Sequence, residues 1–478
     1  MTDATQPAGQ TNPSPTPPAP RKRRRWPKVV LVILLLLVAL VLLLPTIVST
    51  APVRSLVLSQ ASGYVDGKVE VQSWSLGWFS GLSIHGVKVY DRQNVLVLEA
   101  DKVETEATLL RLARGSYDFG KTTVAANATK VVVYPNGRTN LHEVFKLDAA
   151  PQNDKPQTPP TDHGTGSPSA PAKLPDVRID LALDLRGAVE VADAAGKTSV
   201  LQLRQGSGGT LRIDDINQGI RFDPKLIYDV DGRAPSTIVI SGLIDAVQNN
   251  QIDLPNLAAQ VKVLLTAVDM GAVRPALAMV GLGQIDVDGI ATGEIAADIK
   301  PGQAGGAVGE IQVASARLAM PQMPDVYQAE LVRIPINVSR YLADGKSRVK
   351  IDIKAILPEA SVSAVGDLPE AGLINLSQSK MPGETGDLNV LFDASPEKLA
   401  RALPTTMRLL PDVKITGGDL KSDIGIAMRP DRIETKTTSN FSLTGTRAGR
   451  QQAIAPMTIT TAASVLDLDN LASGLRNL

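Results

Sequence analysis

The sequence contains no cysteine, three histidines and 3% aromatic residues. Without cysteine there are no thiolate nucleophiles, zinc-thiolate clusters, iron-sulfur ligands or disulfides, and redox compartment leaves no mark. His85, His142 and His163 form no i, i+4 pair, so histidine offers little for a metal site or a catalytic triad. Few aromatics also means few platforms on which single-stranded bases could stack. We expect no enzyme, no catalytic, metal or cofactor-binding residue, and no cofactor.

An excess of either charge sign is also missing, since 49 basic residues balance 49 acidic ones. The balance is uneven along the chain. Arg21, Lys22, Arg23, Arg24, Arg25 and Lys28 face only Asp3 in the first 28 residues, which leaves 43 basic against 48 acidic residues in the remainder, a net of about −5. A surface that tracks phosphates needs a basic excess that releases counterions, so nucleic acid is not expected as a partner.

What is present is a run of twenty residues without a charge, Val29 to Val48. At about 1.5 Å per residue it spans the roughly 30 Å hydrocarbon core of a bilayer. A cleaved signal peptide has a shorter apolar core, and the small-residue site Ser49-Thr50-Ala51 is followed by Pro52, so an uncleaved anchor is expected. Six positive charges precede the run, and only Arg54 and Lys68 follow within about twenty residues, which places the N-terminus in the cytoplasm. Trp26 suits the interface there. About 430 residues would then lie across the membrane.

Period-two alternation dominates that body. Val177, Ile179, Leu181, Leu183 and Leu185 alternate with Arg178, Asp180, Ala182 and Asp184, and Val349, Ile351 and Ile353 alternate with Lys350, Asp352 and Lys354. Shorter versions run from Val261 to Leu265 and from Ile295 to Ile299. These predict half-buried antiparallel strands with one apolar and one wet face. Turn signals are read at Asp193 to Gly196, Asp231-Gly232, Asp344-Gly345 and Gly417-Gly418. Residues 149–175 are rich in Pro, Gly, Ser and Thr and read as a linker or long loop.

Three places combine a strand end, an Asp and a short helical run: Asp269 before Arg274 to Val280, Asp393 before Glu397 to Leu403, and Asp469 before Leu471 to Leu478. The first two are followed by similar text, Thr292 to Ile299 and Thr416 to Ile424, and such weak repetition suits an extended β architecture. The third is followed by no strand, so that helix either caps the sheet or the sequence is a fragment. The organisation read is a basic tail (1–28), an anchor (29–48), a first β region (49–148), a Pro-rich segment (149–175) and a larger β region (176–478).

The text from Val69 to Asp91, VEVQSWSLGWFSGLSIHGVKVYD, resembles the opening repeat of AsmA-like (AsmA/TamB-type) envelope proteins. Tyr134 to Phe145, YPNGRTNLHEVF, is similar to that family's closing turn, and Ile179 to Asp193 to its following strands. The resemblance covers about residues 30 to 215 and is architectural beyond them. It implies an inner-membrane anchor followed by an elongated, curved antiparallel β-sheet groove with a few short helices, similar in design to bridge-like lipid-transfer proteins. The implied activity is transfer of phospholipid or a related lipid between membranes, with a periplasmic body, a role in outer-membrane biogenesis and an envelope or outer-membrane protein as partner. Two departures stand out: the Pro-rich insertion, and a body whose roughly 20 strands at about 4.8 Å would give roughly 100 Å of sheet, short of a comfortable crossing.

Local motifs have plainer readings. Gly196-Lys197-Thr198 follows Val191 where a phosphate loop needs Gly, so a hairpin turn is expected. Asp286-Val287-Asp288-Gly289 places Ile295 where a calcium loop needs Glu, so a strand followed by a turn is expected. Gly81 to His85 lacks the final Gly of a nucleophile elbow, which leaves Ser83 an ordinary strand residue. Asp214-Asp215 reads as solvated turn carboxylates. Two functional classes remain. In one, Val177, Ile179, Leu181, Leu183, Leu185, Val349, Ile351 and Ile353 line an open lipid path. In the other, the same strands pack as a β-sandwich, a structural or assembly module binding an envelope protein by an edge strand.

Overall fold

The computed structural model describes residues 66–128, 130–132, 140–145, 174–192, 198–230, 234–253, 256–272, 285–300, 303–320, 323–377, 380–407, 410 and 412–465. The run Val29 to Val48, its basic flank with Trp26, His163, residues 149–173, Asp193 to Gly196, Asp231-Gly232 and the helical runs at 274–280 and 471–478 lie outside them. Among the described residues no helix is long and apolar enough to cross a membrane.

Strands dominate. The first group is β1 (Lys68–Leu76), β2 (Leu82–Tyr90), β3 (Leu96–Thr105), β4 (Tyr117–Ala128), β5 (Lys130–Val132), β6 (Val177–Ala192), β7 (Thr198–Leu203), β8 (Gly208–Ile213), β9 (Ile220–Val230) and β10 (Ser236–Asp245). A small hairpin, β11 (Val247–Gln248) and β12 (Gln251–Ile252), follows. The second group is β13 (Ala258–Asp269), β14 (Asp286–Ile299), β15 (Gly305–Ala319), β16 (Tyr327–Ala343), β17 (Lys346–Ile356), β18 (Ala360–Pro369), β19 (Gly386–Ala394), β20 (Val413–Arg429), β21 (Arg432–Arg447) and β22 (Arg450–Val465). Among the described residues four short α-helices interrupt them, α1 (Leu109–Ala113), α2 (Asn140–Val144), α3 (Glu370–Ser377) and α4 (Pro396–Ala402), together with one 3-10 turn at Ile216–Gln218.

All strands but β11 and β12 belong to one 20-stranded, curved sheet. Most neighbours pair in chain order and antiparallel, as alternating sequences joined by tight turns dictate, while β6 and β9 each pair with both β7 and β8. At Asp344 (φ 50°) and Gly345 (φ 75°) both central residues are left-handed, the geometry that matches strand twist, and the expected turn joins β16 to β17. The exception to the antiparallel pattern is β6, which pairs parallel with β4 and β5. Parallel neighbours need a long crossover, and here it carries α2 and the Pro-rich segment, so the sheet runs unbroken from one side of that segment to the other.

Two glycine-containing sites read as turns, Gly417-Gly418 and Asp288-Gly289, are something else. Gly417-Gly418 lies inside β20, where the register with β21 shifts between Ile415 and Gly417. Asp288-Gly289 lies inside β14, where the register with β15 shifts between Asp288 and Ile290. Both are β-bulges: an extra residue is absorbed and the strand bends without ending. At Gly86, φ is 62°, and the side-chain alternation of β2 slips there. Leu82 and Ile84 before it and Val87 and Val89 after it face neighbours that are mostly aliphatic.

Full burial is concentrated in small clusters. Val89, Val97 and Val144 pack together where α2 meets the first strands. Tyr228, Val230 and Ala272 form a second cluster, and Val268, Ala291 and Val313 a third, at adjoining strand ends. The start of α4 is set by capping, since the Ser395 side chain accepts from Lys398 N–H and Pro396 occupies the first turn. This is the helix expected from Glu397 to Leu403.

Candidate functional site

The side chains of β6 and β17 can be placed relative to one another by following the pairing across the sheet, because directly opposed residues share a face. Leu181 faces Leu211, which faces Phe222, then Gly242 and Val261. Val261 continues to Ala297, Ala307, Val338 and Ile351. Beyond Ile351 come Gly366, Leu388, Ile426, Thr435 and Ala463. In the other direction Leu181 leads to Thr122, Thr105, Leu82 and Leu76. This row crosses the whole sheet without a charge.

The next row is as bare of charge. Leu183 stands beside Val124 and Gly209, and Val263, Ile295, Gly309, Ile336 and Ile353 continue it across the second group of strands. The row on the opposite side of Leu181 contains Ile179, Ile213 and, further on, Ile299, Arg340, Val349 and Leu368. All eight residues expected to line an apolar path, Val177, Ile179, Leu181, Leu183, Leu185, Val349, Ile351 and Ile353, are half-buried, and the register brings the two groups onto one face. With strands about 4.8 Å apart and rows about 7 Å apart, the face measures roughly 80 Å by 20 Å.

The other face is wet. The row one residue along reads Lys121, Asp180, Arg212, Arg221 on one side and Asp298, Ser339, Lys350, Asp367 and Asp387 on the other. Cross-strand ion pairs knit it together: Lys262 Nζ to Glu294 at 2.8 Å, Arg348 Nε to Asp367 at 2.8 Å, and Arg333, whose Nε and Nη2 donate to both oxygens of Glu310 at 2.9 and 3.0 Å. That bidentate bond, with a further one from Gln312, holds the Glu310 carboxyl below its ordinary pKa. The paired acids are employed locally, Asp214 with Arg212 at 2.9 Å and Asp215 accepting from Asn217 N–H at 2.9 Å. Ser83 is a strand residue.

The two faces therefore differ in kind, and among the described residues no second sheet is available to cover the apolar one, the remaining sheet being the β11–β12 hairpin. The result is one large curved sheet with an apolar groove, in place of the two packed sheets of a sandwich. A cavity of about 750 Å³ deepens the groove among the ends of β14, β15, β16 and β17 and the start of α3. A separate cavity of about 540 Å³, lined by Asp387, Arg429, Glu434 and Lys436 among others, opens on the charged face. Among the described residues no group of three His, Asp or Glu side chains is placed to hold a metal ion.

Sequence reasoning missed Arg340. It occupies a position in the apolar alternation of β16 after Ile334, Ile336 and Val338, and a charge at that period was the available signal. Compared with protein-family models, with curated proteins and with solved structures, the chain gives no match.

Proposed function

We propose that the chain accommodates lipid along this groove and transfers it between membranes, as an AsmA-like protein anchored in the inner membrane by Val29 to Val48, with its body periplasmic and contributing to outer-membrane biogenesis. The observation that carries the reading is the uncharged row from Leu76 through Leu181 and Ile351 to Ala463. Exposed apolar patches on soluble monomers seldom exceed a few hundred Å², and a face of roughly 1,600 Å² asks for a partner. An acyl chain gains about 0.8 kcal/mol for each methylene removed from water. Aliphatic walls of Leu, Ile, Val and Ala hold such a chain without fixing its position, which suits passage along the row better than storage at one point.

The test is to purify the chain in non-lipidic detergent and identify extracted lipid by mass spectrometry. Stoichiometric phospholipid supports the reading, and a lipid-free protein with intact strand content overturns it. The anchor and its orientation are tested by reporters fused after residues 10 and 200: activity of a cytoplasm-only reporter at residue 200 would sink the topology.

A second reading, a structural module that binds an envelope protein by strand addition, is favoured by β22. Its residues Gln451 to Val465 carry no charge, Arg450 to Ser464 are exposed, and among the described residues it is paired on one side. Native edges usually carry charges that discourage further pairing. Crosslinking from Thr458 to an envelope protein, in a chain that holds no lipid, would favour this reading over the conduit.

A further inference from the structure

We propose that the cavity at the rim of the groove is a headgroup station for a zwitterionic phospholipid with a primary ammonium, of the phosphoethanolamine kind. This inference rests on the lipid-conduit reading. The cavity's floor is the apolar face itself, formed by Ala297, Ile299, Ala307, Val338 and Val349. Its mouth is charged. Arg340 Nε lies 2.8 Å from Glu370 Oε2, and Lys346 Nζ lies 3.1 Å from Glu384 Oε1, all four residues lining the same cavity. Arg340 is further fixed by Ser347 Oγ at 2.8 Å and by the Lys300 carbonyl, to which Nη1 donates at 3.2 Å.

The position of Arg340 is what singles out the site. Its opposed neighbours are Gly305 and Val349, so it projects from the apolar side of β16, where Val332, Ile334, Ile336 and Val338 precede it and Leu342 follows it in the same alternation. Its side chain is 19% exposed and Glu370 is 32% exposed. Placing a guanidinium there for stability alone gains little, since a partly buried ion pair seldom outperforms the aliphatic residue it replaces. The charge makes sense as a stop for something travelling on the apolar face with a charged end.

Charge complementarity selects the occupant. Two cations and two carboxylates give a mouth of zero net charge. A phosphate can take the Arg340 fork and Lys346, while an ammonium takes Glu370 and Glu384, so each protein charge exchanges one partner for another. A purely anionic headgroup would strip both carboxylates of their partners, and an unpaired half-buried charge is costly. A quaternary ammonium has no N–H to donate to the carboxylates and is held elsewhere by aromatic faces, yet no aromatic residue lines this cavity. Pockets that bind drug-sized ligands occupy about 300–1,000 Å³, so the volume of about 750 Å³ accepts a headgroup with the start of its chains. The continuous apolar floor favours the lipid over the free headgroup.

The experiment uses the full chain in detergent, offered phosphatidylethanolamine, phosphatidylcholine and phosphatidylglycerol with identical acyl chains, and measures each by equilibrium retention. Phosphatidylethanolamine is expected to be retained about tenfold better than either competitor. The pair Arg340→Gln and Lys346→Gln should reduce that preference to within about twofold, and Glu370→Gln with Glu384→Gln should move it toward phosphatidylglycerol; circular dichroism reports whether each variant keeps its strands, and either pair suffices. Equal retention of the three lipids by the native chain overturns the headgroup station and leaves the conduit standing. A preference that survives either folded variant pair also overturns it. Retention of no lipid at all overturns the station and the conduit together.

Discussion

Leu181 on β6 and Ile351 on β17 stand in one cross-strand row, joined by Leu211, Phe222, Gly242, Val261, Ala297, Ala307 and Val338. A one-residue slip at any of these pairings would turn the rest of the row to the charged face. The row survives because each strand alternates in phase with its neighbours, and because irregularities fall elsewhere: the shifts in β13 and β14 lie beyond Leu265 and before Ile290. Register, set by turns and alternation, is therefore what converts separate amphipathic strands into one continuous surface.

Gly309 occupies the neighbouring row, between Ile295 and Ile336. A Cβ built there would stand 2.1 Å from the Glu294 carbonyl oxygen, a backbone atom that cannot swing away. Gly309→Ala should therefore destabilise by about 1–3 kcal/mol, the usual cost of overpacking. Chemical denaturation of variant and native chain measures it.

The ion pair on the opposite face predicts a pH effect. Arg333 holds Glu310 deprotonated below its ordinary pKa, so the pair's contribution is present above the unfolded carboxylate value of about 4.3 and is lost as pH falls through the lowered folded value. Arg333→Gln should return the Glu310 titration toward the ordinary range. NMR titration of the side-chain carboxyl reads the shift, and an unchanged midpoint would show that the pair does not form in solution.

Burial predicts where stability resides. Tyr228 is 1% exposed within a packed cluster, and Tyr228→Ala should cost about 3–5 kcal/mol. Leu181, half-buried on the open face, forfeits less on truncation, about 1 kcal/mol, because its surroundings retain solvent on one side. Comparable losses from both variants would mean that the face is sealed.

Much of this was legible from the sequence. The alternation at Val177 to Leu185 and Val349 to Ile353 announces strands because period two matches the pleat of a strand and not the turn of a helix, and Asp344-Gly345 announces its turn because few residues accept two left-handed conformations in succession. The helix after Asp393 was signalled by the run Glu397 to Leu403 that follows a strand end, and the structure adds the capping Ser395 and Pro396 that start it. Gly417-Gly418 and Asp288-Gly289 misled, since glycine serves a bulge and a turn by the same conformational freedom and only the partner strand distinguishes them. The parallel pairing of β4 with β6 depends on a crossover of remote residues, which no local pattern encodes. The cavity at Arg340 depends on four residues from three stretches of chain, and of these only the charge within the alternation of β16 left a local trace.

Leu183 distinguishes a lipid path from a packed interior. Leu183 lies between Val124 and Gly209 in a row without charges, half-buried, while Asp180, Arg178 and Arg186 of the same strand are exposed on the other side. In a sealed core, Leu183→Asp would bury an unpaired carboxylate, for which several kcal/mol is the usual scale, comparable with the whole stability of a domain. In an open groove the carboxylate reaches water whenever lipid is absent, so the folded state should lose no more than about 1–2 kcal/mol. The same charge then repels acyl chains from the middle of the row. Thermal unfolding together with lipid extraction decides the matter. The expected result is a midpoint lowered by a few degrees with most bound lipid lost; a collapse of the midpoint would place Leu183 in a closed core, and a normal midpoint with undiminished lipid would remove it from the path.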